Sequence, residues 1–283
     1  MNVDTRRDPY LGTVVHIVGS RQRRPNLPSD GCPFCVGGLE APEPYSVRSF
    51  PNRWPALSEG RCEVVLYTPD HDANFASLGV DGARAVIDLW AQRTTALRAE
   101  PGVEYVLIFE NRGAEVGATI SHPHGQIYAF DHVPERQARL LEAGWTPDPE
   151  PGDREVLVTN DWTVVVPHAP IHPLSIDIAP RRQVGDLVSL SEVELDGLAA
   201  VLVEMMGRLD RFYDRELPYM LWIDQAPVHW SGEPPAWLRI EIVSPWRSAG
   251  LSRFIAAAEV ATGEYFNPVE PSEVARRLRE LAR

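Results

Sequence analysis

The sequence contains no lysine, and all 27 of its cationic residues are arginine. This absence excludes a Schiff-base lysine, as in enzymes that use pyridoxal phosphate, and a lysine that carries AMP. It also excludes the phosphate-binding motif G-K-[ST]. No run approaches the roughly 18 apolar residues of a membrane span, and MNVDTRRDPY at the start lacks the apolar core of a signal peptide. We therefore expect a cytoplasmic protein with no membrane partner.

Acidic residues outnumber basic ones, 40 to 27, which gives a net charge of −13. A chain of this charge has no overall attraction for nucleic acid, so we expect no nucleic-acid partner. Apolar residues make up 44% of the chain and charged residues 24%, a balance typical of globular proteins. An anionic small-molecule substrate is compatible with this charge where arginines gather locally.

The two halves of the chain show the same order of predicted elements. In the first half, RCEVVLY (61–67) has the pattern of a strand, and a helix from about 81 to 100 follows it, with further strands beyond. In the second half, two predicted strands precede a helix that begins at Ser191, with Glu194 placed for a capping box. This parallel order favours an α+β fold that is built from two related halves.

A proline-rich stretch, GWTPDPEPGD (144–153), separates these halves. We accordingly divide the chain into residues 1–150 and 151–283. Near the end, LRIEIVSP (238–245) predicts a strand and SEVARRLREL (272–281) a closing helix.

Cysteine is scarce, with three residues in the chain. Cys32-Pro-Phe-Cys35 is a C-x2-C pair, a spacing at which two thiolates can bind one tetrahedral metal ion from a tight turn. Two more ligands are needed, and His71 in TPDH and His122 in SHPH lie in suitable loops. Spacing alone leaves a redox disulfide and a pair of core cysteines as alternatives. Cys62, in a predicted strand, is expected to be structural.

The segment ENRGAEVGATISHPHGQIYAF (110–130) has the greatest density of reactive groups. His122-Pro123-His124 places two imidazoles on one face of an extended segment. Its three glycines let the main chain come close to a ligand. A neutral imidazole attacks phosphorus readily and also leaves readily, so it can divide a transfer between two phosphates into two displacements. Four polar side chains here can hydrogen-bond phosphate oxygens: Asn111, Thr119, Ser121 and Gln126.

The chain resembles the galactose-1-phosphate uridylyltransferase family of the histidine-triad superfamily. The resemblance covers nearly the whole chain, and CPFC followed by HPHGQ is its most specific signature. It implies two histidine-triad-like halves in one mostly antiparallel sheet flanked by helices, a homodimer, and a ping-pong reaction between a nucleotide sugar and a sugar 1-phosphate. The motifs that carry it are GTVVHIVGSRQRRP, CPFC, FPNRWPAL, TPDH, ENRGAEVG, SHPHGQ and SRFIAAAEV.

The resemblance also implies a role for each matching residue. His124 would attack the α-phosphorus of a UDP-sugar and carry UMP, while Gln126 would hydrogen-bond the phosphoryl oxygens. One structural zinc ion in the N-terminal half would be held by Cys32, Cys35, His71 and His122. Six residues match positions at the nucleotide: Arg24, Phe50, Asn52, Asn111, Gly117 and Thr119. Arg21 is a further candidate beside Arg24.

The departures from the family concern a second metal and the sugar. The family's second metal site uses a His-x-His pair, which is Arg239-Ile240-Glu241 here, and a preceding histidine, which is Asp224 here. We therefore expect no second metal. In the C-terminal half, Arg253 and Glu259 match sugar-side positions, where Arg253 could bind phosphate and Glu259 sugar hydroxyls. The neighbouring family tyrosine is Ala258, so the resemblance does not carry galactose over as the acceptor.

Three functions follow from these residues. The first is transfer of UMP from a UDP-hexose, UDP-glucose in the family pattern, to a hexose 1-phosphate. The second keeps the site but uses phosphate or water as acceptor, or a different base or sugar. The third is a zinc-stabilised nucleotide-binding protein without turnover. The complete pair of His124 and Gln126 favours an enzyme over a binding protein.

Overall fold

The computed structural model describes residues 4–23, 31–58, 60–230 and 232–282. A hairpin of β1 (Asp4–Arg7) and β2 (Val14–Ile17) stands apart from a nine-stranded sheet in which all neighbouring strands are antiparallel. Across this sheet the order is β3 (Arg48–Pro51), β4 (Cys62–Leu66), β6 (His124–Phe130), β5 (Tyr105–Arg112), β10 (Tyr219–Asp224), β11 (Arg239–Ser244), β9 (Leu174–Pro180), β8 (Trp162–Val165) and β7 (Glu155–Val158). The halves meet where β5 pairs with β10, which confirms the predicted α+β fold with one antiparallel sheet.

The described helices are α1 (Gly79–Arg98), α2 (Glu135–Glu142), α3 (Glu192–Arg211), α4 (Ala257–Thr262) and α5 (Pro271–Glu280). The capping box of Ser191 and Glu194 forms as predicted, whereas α1 begins two residues earlier than expected. Neither α2 nor the hairpin of β12 (Trp246–Ser248) and β13 (Leu251–Ser252) was predicted. Within the described residues, none of the helices is long and apolar enough to cross a membrane.

One face of the sheet packs against α1 and α3. Side chains alternate between the faces of a strand, and paired residues on antiparallel neighbours point to the same side. The register therefore places an apolar row across the sheet on this face, and every member is fully buried. The row consists of Ile127, Ile108, Ile223, Ile240, Ile178 and Val164.

The opposite face carries a different row. Its members, in order across the sheet, are Phe50, Val64, Gln126, Phe109, Trp222, Glu241 and Asp177. A small apolar cluster that includes Phe34, Val64 and Leu66 covers one end. The residues predicted for catalysis and for metal binding gather at this end.

Candidate active site

Four predicted metal ligands converge in the structure. The ligand atoms of Cys32, Cys35, His71 and His122 all lie within 4.8 Å of one another. The Sγ atom of Cys35 is 3.5 Å from Nδ1 of His71 and 3.7 Å from Nδ1 of His122. Ligands at ordinary Zn–S and Zn–N distances around a tetrahedral ion lie about 3.5 Å apart. Two thiols and two imidazoles in this arrangement fit a closed zinc site.

Hydrogen bonds on the far sides of both rings support this orientation. Nε2 of His122 lies 2.8 Å from the carbonyl oxygen of Thr68, which can only accept, so Nε2 carries the proton and the Nδ1 lone pair faces the thiols. Tyr45 lies 3.0 Å from the same Nε2, and Ser121 lies 3.2 Å from Nε2 of His71. Burial lowers the pKa of His122, which favours the neutral, ligating ring. Outer partners of this kind are typical of metal-binding histidines.

His124 begins β6 and stands next to this cluster. Its Nδ1 lies 2.7 Å from the carbonyl oxygen of His122, so Nδ1 donates and the neutral ring carries its lone pair on Nε2. The ring of Phe34 meets the ring of His124 edge-on, with 5.0 Å between the ring centroids. His122 thus has two roles: its side chain belongs to the Cys–His cluster, and its main-chain carbonyl orients the ring of His124.

Gln126 lies two residues after His124 on β6, so its side chain points to the same side of the sheet. Nδ2 of Asn52 donates to Oε1 of Gln126 at 3.1 Å, while Oδ1 of Asn52 accepts from the main chain of Trp54 at 2.8 Å. Asn52 thus occupies the side-chain oxygen of Gln126. The side-chain N–H groups of Gln126 remain available to donate on the side of the sheet where His124 lies. Phe50 lies in the same row and packs against Phe34 at 6.0 Å. The structure therefore brings His124, Gln126, Asn52 and Phe50 together.

A cavity of about 860 Å³ adjoins His124, and predicted nucleotide residues Asn111 and Thr119 line it. Gly117 ends the short turn that follows β5 and takes a left-handed conformation, with φ 85°. Arg24 lies outside the described residues. Arg21 is described, and its Nη1 lies 3.5 Å from the hydroxyl of Tyr128, on the strand of Gln126.

Sequence reasoning missed several contributors to this site. Tyr45 contacts His122, and the ring of Phe34 contacts both His122 and His124. Phe34 lies inside CPFC, but the spacing of that motif indicates only its cysteines. Arg215 lines the cavity and stacks on Trp246, 5.2 Å from the ring centroid. Since these contacts join distant segments of the chain, local patterns contain no signal for them.

Comparisons with known proteins match this arrangement. The sequence profile of the galactose-1-phosphate uridyl transferase N-terminal domain matches residues 45–134, and that of the C-terminal domain matches residues 122–282. This chain belongs to the galactose-1-phosphate uridylyltransferase family. It is therefore an enzyme, a transferase.

Individual relatives extend over the whole chain. The galactose-1-phosphate uridylyltransferase of Thermotoga maritima is 33% identical over 98% of both chains. That of Streptomyces lividans is 34% identical over 99% of this chain and 87% of its own length. A solved structure of a uridylyltransferase has a TM-score of 0.90 at 26% identity, over 98% of each chain.

The residues at the uridylyltransferase family's second metal position form a different kind of cluster. Arg239 lies 3.0 Å from both carboxylate oxygens of Asp177 and 3.0 Å from Glu241. Arg136 of α2 pairs with Asp224 at 3.2 Å and also binds Glu241. All three carboxylates are buried, and each already binds at least one guanidinium group. This donor set does not suit a second metal ion.

Arg253 and Glu259, predicted for the sugar side, bind each other in a buried ion pair. Arg253 also donates to the carbonyl oxygens of Phe266 at 3.1 Å and Ile171 at 2.9 Å. Glu259 accepts from the main chain of Ala256 and Phe266, at 2.9 and 3.0 Å. The pair fastens the segment around α4, and its role toward a sugar stays a prediction.

Proposed function

We propose that this transferase moves UMP from a UDP-hexose to a hexose 1-phosphate through a covalent bond to His124. Nε2 of His124 attacks the α-phosphorus, and the bond from this phosphorus to the bridging oxygen breaks. The first sugar 1-phosphate leaves with that electron pair. A phosphate oxygen of the second sugar 1-phosphate then attacks the same phosphorus, and the imidazole leaves with its electrons.

The observation that carries this proposal is the hydrogen bond from Nδ1 of His124 to the carbonyl oxygen of His122. It fixes the tautomer that has its lone pair on Nε2, and the carbonyl dipole stabilises the positive charge that the ring acquires on attack. Gln126, oriented by Asn52, donates to the phosphoryl oxygens. Phe50 packs beside the base, and Asn111, Gly117, Thr119 and Arg24 bind the ribose and phosphates.

Zinc is the proposed metal, held by Cys32, Cys35, His71 and His122, and it acts as a structural cross-link between loops. Residues 1–150 supply this site and the nucleophile, and residues 151–283 supply the sugar-side pocket with Arg253 and Glu259. We infer one metal per chain, because guanidinium groups occupy the second position. A homodimer in the cytoplasm is the proposed state of the protein, by analogy with the family.

The test is label exchange between a UDP-hexose and labelled hexose 1-phosphate, with glucose and galactose forms compared. His124→Gly should abolish exchange, whereas His168→Gly, at an exposed histidine, should leave it unchanged. Full activity of His124→Gly would contradict the mechanism. Turnover of the nucleotide sugar with phosphate or water alone, and no exchange, would instead show a phosphorylase or hydrolase at the same site.

A further inference from the structure

Glu110 on β5 is a buried carboxyl group on the helix-covered side of the sheet, behind the nucleophile strand. The hydroxyl of Tyr219 donates to its Oε1 at 2.7 Å. Burial raises the pKa of Glu110 to about 7, although Arg112 and the hydroxyl groups of Tyr219 and Tyr67 act in the opposite direction. A buried carboxyl group is costly unless its neighbours hydrogen-bond it or pair with its charge.

Three further buried polar atoms gather in this place: Tyr67 Oη, Trp90 Nε1 and Glu110 Oε2. They belong to one cluster. The rings of Tyr67 and Trp90 meet edge-on with centroids 5.8 Å apart, and after burial the charge of Glu110 is the largest cause that raises the pKa of Tyr67. The Tyr67 hydroxyl is thus enclosed between a carboxyl group, an indole and the strand above it.

The strand above the Tyr67 hydroxyl is β6, and the contact falls at Gly125, between His124 and Gln126. A methyl group in place of a Gly125 hydrogen would collide with Tyr67 Oη, and it would lie 3.1 Å from both Cζ of Tyr67 and the carbonyl oxygen of Phe109. The φ of Gly125 is outside the left-handed region, so this contact, and not backbone conformation, demands glycine here. The main-chain N–H of Tyr67 also donates to the carbonyl of Pro123 at 3.2 Å. Tyr67 therefore contacts the chain on both sides of His124.

We propose that Tyr67 is a positioning residue for the nucleophile: its hydroxyl, enclosed by Glu110 and Trp90, supports the backbone at Gly125 and so sets the position of His124 and Gln126. This inference rests on the proposed role of His124. A close-packed core has few voids that could absorb a shift, so a change at Tyr67 moves the backbone at Gly125. Displacement of a reacting group by about 1 Å can lower the rate by about 10²-fold. The displaced groups, His124 and Gln126, act on the reacting phosphorus, so the effect falls on kcat more than on KM.

A double-mutant cycle in label exchange tests the contact. We expect Gly125→Ala to lower kcat by about 10²-fold and Tyr67→Phe by about tenfold. Because the phenylalanine removes the colliding oxygen, the double variant should lose only about tenfold, well short of the about 10³-fold loss of independent sites. The proposal would be overturned if the double variant lost kcat by nearly the product of the two single losses, or if the variants changed only KM. Tyr105→Phe, at a buried tyrosine whose hydroxyl accepts from the main-chain N–H of Gln225, is the matched control with unchanged kcat.

A second readout is independent of turnover and of whether Gly125→Ala folds. The ring-nitrogen chemical shifts of His124, measured by 15N NMR on full-length Tyr67→Phe and Glu110→Gln, should both differ from wild type. Identical shifts in all three proteins would show that Tyr67 and Glu110 serve stability alone and would overturn the proposal. If wild type shows no exchange at all, the proposed function fails, while the shifts still decide whether Tyr67 positions the ring.

Discussion

Two polar clusters lie on the same side of the sheet, and they differ in whether the chain itself supplies the positive charge. The first gathers two thiols and two imidazoles around a common point. The second gathers three buried carboxylates around the guanidinium groups of Arg136 and Arg239. The first set of donors could hold a metal ion, whereas the second set contains its cations within the chain. The difference teaches that buried carboxylates in this sheet can take their positive partners from the chain itself.

Removal of a ligand from the first cluster should have the largest effect. Cys35→Ser should lower bound zinc from one per chain to nearly none, and the free energy of unfolding should fall by several kcal/mol because the metal joins distant loops. Metal analysis and urea unfolding measure both quantities. Cys62→Ser is the matched control, because Cys62 is a buried thiol outside the cluster whose sulfur accepts from the main-chain N–H of Leu57. Equal zinc in both variants would contradict the assignment.

Loss of an internal cation from the second cluster should have the next largest effect. Arg239→Met leaves the carboxylates of Asp177 and Glu241 underpaired in the core, which should cost about 3–5 kcal/mol. Arg276→Met, which breaks exposed ion pairs with Glu273 and Glu280, should leave the free energy of unfolding nearly unchanged. Urea unfolding of the two variants measures the contrast. Similar costs, or a second metal ion in the wild-type protein, would break the comparison between the clusters.

The smallest effect concerns pH. Burial, with Asp224 and Asp177 nearby, raises the pKa of Glu241 to about 8, in spite of Arg239 and Arg136. A carboxyl group that holds its proton more tightly when folded stabilises the fold at low pH, and this contribution is lost as the pH rises from about 4.5 through 8. Between pH 5 and pH 8, wild type should therefore lose more stability than Glu241→Gln, by roughly 1–3 kcal/mol.

Unfolding in urea at the two pH values checks this difference. Glu273→Gln is the control, since Glu273 is exposed and Arg276 lowers its pKa, so its removal should not reduce the loss of stability. The opposite sign for Glu241→Gln would show that its carboxylate is ionised throughout and fully paired.

The sequence predicted the first cluster better than the second. The C-x2-C spacing and two loop histidines identify all four converging residues, because each motif carries its ligand in a turn. The second cluster depends on Arg136, which reaches Asp224 across 88 positions of the chain from a helix that no pattern revealed. Register across the strands, which local periodicity does not fix, decides that Glu241 and Asp177 share a row with Gln126.

The sugar side shows the same limit. Arg253 and Glu259 were expected to offer their charges to a substrate, and nothing local in the sequence foretells that they bind each other. By contrast, once a strand begins at His124, period-two alternation alone places His124 and Gln126 on one side of the sheet.

The most direct test of the account is intact-protein mass spectrometry after incubation with a panel of nucleotide sugars that includes UDP-glucose and UDP-galactose. The wild-type protein should gain an acid-labile mass equal to one uridylyl group, and His124→Gly should show no gain. No gain with any donor, or the same gain on the variant, would contradict transfer through His124.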